Sequence, residues 1–309
     1  MLKPTENFPP IELSGVTKRY GKKLACNKVD LTVREGTTFG LLGPNGAGKS
    51  SLIRILMGLS SADSGEVRLF GENARVHSPA LRQRIGYVPE VHFVYRWMTV
   101  GEVLRFVRRL YPLWDRDLVE QMLSAFELPL KKKVGSLSKG MTTKLSLVLA
   151  LAHNPDLLIL DEPTSGLDPL IREEFLESVL QRHLCKGRTV FFSSHHFDDV
   201  ERVADDVGIF VDGRFIALGR VDDLRSSIKR LQIVLPDGKL PVHIPEQVLF
   251  QRLSRRDWTV TVNPFTEELF EELIVRNHAT GGNVIDLGLE EIFKDVIRGT
   301  KVQKEEVGR

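Results

Sequence analysis

The segment Gly43-Pro44-Asn45-Gly46-Ala47-Gly48-Lys49-Ser50 places a lysine and a serine directly behind two glycines that bracket four residues. This spacing suits a phosphate chain. Glycines reach backbone angles closed to other residues, so successive amide N–H groups can turn inward around an anion. A helix opening from the loop through Ser51 adds unpaired N-terminal donors and the positive end of its dipole. Lys49 has the reach for terminal phosphates, and the Ser50 hydroxyl suits a Mg²⁺ ion bridging them. A second chemical group follows the apolar run Leu157-Leu158-Ile159-Leu160, where Asp161 and Glu162 are adjacent. Alone, two such acids read better as solvated surface. Behind an apolar strand and downstream of a phosphate loop, Asp161 is suited to the metal's coordination shell and Glu162 to orienting or deprotonating a water.

The elements that must position these groups are legible as well. Thr38 to Leu42 reads as a buried strand feeding the loop, and Ser51 to Met57 as the helix leaving it. Leu157 to Leu160 has the wholly apolar character of a central parallel strand, which delivers its C-terminal residues where open α/β sheets bind ligands. Thr189 to Ser193 is a further buried strand, with Ser194-His195-His196 at its end. Upstream, Ile11 to Arg19 and Leu24 to Arg34 pair around Tyr20-Gly21-Lys22-Lys23. Tyr20 there either stacks on a flat base or closes a local apolar cluster. Glu66 to Phe70 and Ile85 to Val88 are short strands.

Between about residues 91 and 150 the spacing predicts an inserted helical subdomain. One helix begins at Thr99 with Glu102 completing a capping box, a second begins near Asp115, and a third opens from Leu137-Ser138-Lys139-Gly140-Met141. Phe93, Tyr95, Trp97 and Met98 cluster just ahead of them. Asp168-Pro169 fits the start of a helix running to about His183. Val207 to Val211 and Arg214 to Leu218 form a hairpin about Asp212-Gly213. From residue 221 the pattern changes to a small α+β domain: strands at Leu231 to Leu235, Trp258 to Val262 and Val284 to Leu287, a helix after Pro264, and a last helix Leu289 to Arg298 before a charged tail expected to be mobile.

The bulk numbers narrow the field. At 309 residues the chain holds one large or two modest domains, and 42% hydrophobic with 27% charged residues is ordinary for a globular protein. A net charge of +2 is too small to argue for a nucleic-acid or membrane-surface field. Cys26 and Cys185 match no zinc or redox spacing and suit a reducing compartment. No apolar run is long enough to span a bilayer, and the first residues lack the apolar core of a secretory signal.

Taken together the motifs resemble the nucleotide-binding subunit of an ATP-binding cassette (ABC) transporter, over about residues 10 to 220. The phosphate loop, Leu137 to Met141 in place of the LSGGQ signature, Leu157 to Glu162, Ser165-Gly166-Leu167-Asp168 and His195 occur in that family's order, with Tyr20 at its adenine-stacking position. The resemblance implies a P-loop NTPase core with an antiparallel β-subdomain and the helical subdomain, the small C-terminal domain spanning 221 to 309. It implies ATP and Mg²⁺ as ligands and two cassettes sandwiching two ATP molecules head to tail. Gly43, Pro44, Asn45, Gly46, Ala47, Gly48, Lys49, Ser50 and Ser51 would then hold nucleotide in one copy. Ser138, Lys139 and Gly140 would face the γ-phosphate of the other, and Asp168 would couple the two sites. His195 would contact the γ-phosphate and orient the water. Metal contacts fall to Ser50, Asp161 and Glu90.

Two departures stand out: Glu90 occupies a position usually held by glutamine, and Lys139 and Met141 replace glycine and glutamine of the signature. Lys139 either meets the facing γ-phosphate or faces solvent. The aromatic cluster at Phe93 to Trp97 is either subdomain core or the place where a permease inserts a short helix. The resulting expectation is an ATPase subunit, cytoplasmic and peripheral on the membrane's inner face, that powers a separate integral membrane permease, most simply an exporter, with no nucleic-acid partner. The alternatives are a soluble ABC ATPase acting on nucleic acid or the ribosome, which the absence of a heptad run between Ser50 and Leu137 disfavours, and a weakly hydrolysing regulatory module.

Overall fold

Alternating apolar residues build the first layer of the structure, a computed structural model that describes residues 8–74, 78–91, 94–165, 172, 176, 187–239, 241 and 244–307. Strands β1 (Ile11–Tyr20) and β2 (Lys23–Val33) pair antiparallel, with Leu13 opposite Leu31 and Val16 opposite Val29. The odd-numbered residues Val29, Leu31 and Val33 are buried and their neighbours are not, as one covered face requires. β3 (Thr38–Leu42) is buried throughout and runs into the loop before α1 (Lys49–Leu56). β4 (Ser64–Leu69) and the short β5 (Glu72–Asn73) complete a four-stranded antiparallel sheet in the order β2-β1-β4-β5. Next come α2 (Pro79–Gln83), capped by Ser78, and β6 (Ile85–Val88).

The expected helical segment follows. α3 (Val100–Arg108) starts with the predicted capping box: the Thr99 N–H donates to Glu102 Oε2 at 2.7 Å, and the Glu102 N–H donates to Thr99 Oγ1 at 3.3 Å. α4 (Arg116–Ala125) is capped by Asp115, and α5 (Lys139–Leu151) by Ser138. β7 (Leu157–Leu160), β8 (Thr189–Ser194), α6 (Phe197–Val203), β9 (Asp206–Val211) and β10 (Arg214–Arg220) complete the core. The second sheet has the order β10-β9-β3-β8-β7-β6, and every pairing from β9 through to β6 is parallel. The C-terminal ends of β3, β8 and β7 therefore lie side by side at one edge. The helix expected from Asp168 to about His183 lies largely outside the described residues, as do Asp168, Phe93 and Cys185.

Two compact units divide the chain, Met1–Phe215 and Ile216–Arg309. The second holds α7 (Val221–Ser227), β11 (Lys229–Val234), β12 (Val248–Ser254), β13 (Asp257–Val262), α8 (Glu267–Arg276), β14 (Gly281–Asp286) and α9 (Leu289–Val307). Its antiparallel sheet, ordered β12-β13-β11-β14, buries Leu231, Ile233, Trp258, Val260 and Val262 against Leu269 and Leu273 of α8. The last helix runs through Val307 rather than stopping at Arg298, because Lys301 to Val307 contains no Gly or Pro and several strong helix formers.

The described members of the aromatic cluster bear on the two readings left open for it. Tyr95 and Trp97 are 53% and 70% exposed, so they are not subdomain core. Their ring centroids lie 5.9 Å apart, and Tyr95 meets Phe106 of α3 edge-on at 5.8 Å, which groups three aromatic rings on the surface.

Candidate functional site

The loop between β3 and α1 is shaped by two close approaches that only glycine permits. A Cβ at Gly43 would lie 2.1 Å from the Phe210 carbonyl oxygen, and one at Gly48 2.0 Å from that of Ala25. Gly48 also sits at φ 113°, in the region that favours glycine. It is the N-cap of α1 and supplies no side-chain acceptor, so the first amides of that helix remain available to an anion. Lys23, not anticipated as a site residue, donates to the Gly46 carbonyl at 2.8 Å and fastens the outer turn of the loop to the hairpin. Pro44, Asn45 and Gly46 are exposed, Ser50 and Ser51 half-buried, and Gly43, Ala47 and Lys49 buried.

Lys49 turns back on its own loop. Its ammonium donates to the Gly43 carbonyl at 2.6 Å and to that of Pro44 at 3.4 Å. It also lies 3.0 Å from Glu162 Oε1, both side chains being nearly buried. That oxygen has no directed hydrogen bond, so the contact is an ion pair held by charge alone. The other oxygen, Glu162 Oε2, meets His195 Nδ1 at 2.7 Å. Lys49, Glu162 and His195 thus form one continuous chain of contacts across the ends of β3, β7 and β8. Glu162 adopts φ 48°, an uncommon backbone state for a residue with a side chain.

Asp161 sits beside this chain. Its Oδ1 accepts from Ser50 Oγ at 3.2 Å and from Ser193 Oγ at 2.8 Å. Burial raises the Asp161 carboxyl above its ordinary pKa; the Ser193 and Ser50 hydroxyls oppose that, and the charges of Glu90 and Glu162 add to it. Glu90 is exposed just past β6, close enough for its charge to be felt at Asp161. The donor set is hard oxygen throughout, as a Mg²⁺ ion prefers. Together with a cradle that a Cβ would block, it fits a nucleotide with its divalent metal.

Other expected residues lie apart from this cluster. Tyr20 is half-exposed at the end of β1, with Lys18 Nζ 5.4 Å from its ring centre and Ser60 Oγ 3.5 Å from its hydroxyl, so it closes no apolar cluster. Ser138 caps α5 by accepting from the Met141 N–H at 3.2 Å. Ser138 and Lys139 are exposed and Gly140 half-buried. His196 tilts against His195 with ring centres 4.0 Å apart, and burial holds its pKa below the ordinary value, helped by His195 and Arg172. Ser193 was the main omission of the sequence analysis. Its only signal is a polar side chain at the end of a strand expected to be buried.

A glycine cradle at the start of α1, followed by a buried acid pair on the strand two places along the sheet, defines a P-loop nucleoside triphosphatase. The family model described as ABC transporter matches residues 26–165. The chain is 40% identical over 215 residues to Nod factor export ATP-binding protein I of Burkholderia orbicola (strain AU 1054), covering 68% of this chain and 70% of that protein. It is 29% identical over 283 residues to ABC transporter ATP-binding protein YtrB of Bacillus subtilis (strain 168), covering 92% and 96%. A solved structure described as the ATP binding subunit of an ABC transporter superposes with a TM-score of 0.63 at 31% identity, over 70% of this chain and 91% of that one. This chain therefore belongs to the ATP-binding subunits of ABC transporters.

Proposed function

We propose that the chain binds ATP with Mg²⁺ in the Gly43 to Ser51 loop, hydrolyses it, and as one of a pair of cassettes drives a separate membrane permease in the export direction. The observation that carries the enzymatic reading is the Lys49–Glu162–His195 chain, with contacts of 3.0 and 2.7 Å beside the Ser50–Asp161 pair. Bound Mg²⁺ would neutralise phosphate charge, held through Ser50 and Asp161, with Glu90 alongside. Once phosphate oxygens draw Lys49 away, Glu162 is left with one oxygen steadied by His195 and one able to accept a proton from water. His195 keeps the carboxylate oriented, and the inward amides of the loop stabilise charge on the transferred group.

The exposed N-terminus of α5, carrying Ser138 and Gly140, supports a role toward a nucleotide held by a second copy, and half-exposed Tyr20 supports base stacking. Asp168 is proposed to couple the two sites. Export finds support in the name of the Burkholderia relative. A separate permease finds support in the described residues, where no helix is long and apolar enough to cross a membrane, and in the exposed Tyr95, Trp97 and Phe106. Such a subunit would sit peripherally on the cytoplasmic face.

The test is steady-state hydrolysis alongside nucleotide binding. Lys49→Ala should lose binding. Glu162→Gln should bind ATP and accumulate an ATP-bound dimer while turnover drops by about 10² to 10⁴, the usual share of a positioned base. Undiminished turnover in Glu162→Gln would remove the glutamate from the mechanism.

A further inference from the structure

Among the described residues, the Ser193 hydroxyl is the one group hydrogen-bonded to both members of the acid pair. It donates to Asp161 Oδ1 at 2.8 Å and accepts the backbone N–H of Glu162 at 2.9 Å. Ser193 is completely buried, next to the last residue of β8, and paired in register with Leu41 of β3. It stands midway between the strand that carries the phosphate loop and the strand that carries the acids. A hydroxyl has one proton to give and lone pairs to receive, so a single atom serves both contacts without conflict.

We infer that Ser193 is a positioning residue for hydrolysis, setting the metal-side carboxylate and the base from one hydroxyl. Three features lead to this. Both Ser193 and Ser50 donate to Oδ1 of Asp161, and among the described residues no hydrogen bond reaches Oδ2, so the carboxylate is turned with one oxygen engaged by protein. Glu162 holds a left-handed backbone angle, which persists only where surrounding contacts enforce it, and its amide is pinned by Ser193. Loss of the hydroxyl would leave the buried Glu162 amide without its partner and Asp161 Oδ1 with the longer Ser50 contact alone. Ser193 is fully buried behind the acid pair and acts through Asp161 and Glu162.

This inference rests on the proposed ATPase reading, and the experiment keeps the two apart. Fluorescent ATP-analogue binding is measured with EDTA and with Mg²⁺, and ATP turnover is followed across a Mg²⁺ titration, for the full chain, Ser193→Ala, Ser193→Thr and Val190→Ala. In Ser193→Ala, binding in EDTA should match the parent. The tightening on adding Mg²⁺ should shrink about tenfold, the Mg²⁺ needed for half-maximal turnover should rise, and kcat should fall about 10- to 100-fold at nearly constant KM, the scale of a misplaced catalytic group. Ser193→Thr, which keeps the hydroxyl, should recover most of the Mg²⁺ response. Val190→Ala, a loss of buried volume on the same strand, should lower Tm without moving the Mg²⁺ response. If the parent neither binds nor hydrolyses ATP, the ATPase reading fails. If the parent does both and Ser193→Ala shares its Mg²⁺ response and kcat, or if Val190→Ala reproduces the defect, Ser193 has no positioning role.

Discussion

Lys49 is held on two sides. Its contacts to the Gly43 carbonyl and to Glu162 are both buried, so under the proposed function a phosphate reaching the ammonium would compete with the glutamate. Under the proposed function Glu162 would have two opposing effects, aiding the chemistry and competing for the lysine. Removing its charge should tighten ATP-analogue binding in EDTA by about threefold to tenfold, a tenfold change being 1.4 kcal/mol. Titration of Glu162→Gln against the parent measures this. Weaker or equal binding in the variant would mean that the ion pair does not compete. The types of Lys49 and Glu162 were legible from spacing, but their mutual contact was not, since they lie far apart in the chain and only the order β3-β8-β7 in the sheet brings them together.

At the level of elements, the join between α5 and β6 carries a titratable group. His153, just past α5, is buried, donates from Nε2 to the Ile85 carbonyl at 3.1 Å, and stacks on Tyr111 with ring centres 4.1 Å apart. Burial holds its pKa below 6.5, with the hydrogen bond opposing. The folded chain thus keeps His153 neutral, while the unfolded chain takes up a proton as pH falls through about 6.5. Stability present above that pH is lost on acidification. Tm measured from pH 7.5 down to 5.5 should fall more steeply for the parent than for His153→Gln, and parallel curves would contradict this account.

Legibility also varied by element for physical reasons. α3 announced itself through Thr99 and Glu102, because a capping box is written in side chains. α6 and α7 start at His196 and Arg220 without any side-chain cap, so nothing in the sequence marked their first turns. β12 was missed because it is an edge strand whose residues are mostly half-buried, which erases the alternation that betrayed β2.

On the scale of the whole molecule, each unit buries an apolar core of its own, one around Leu41, Ile159 and Phe191 and the other around Leu231 and Trp258. Leu231→Ala should cost about 2–5 kcal/mol in the second unit. Limited proteolysis of that variant should clip residues beyond 216 while ATP-analogue binding by the first unit survives. Simultaneous loss of both would show that the cores do not stand separately. The phosphate loop and the order of motifs made the larger unit readable in outline, whereas the smaller one lacks chemical motifs and had to be inferred from weaker alternation. The surface trio of Tyr95, Trp97 and Phe106 has a practical corollary. Greasy rings grouped in water adsorb to plastic and to one another, so the purified chain should clump as it is concentrated, and a mild detergent should keep it dispersed.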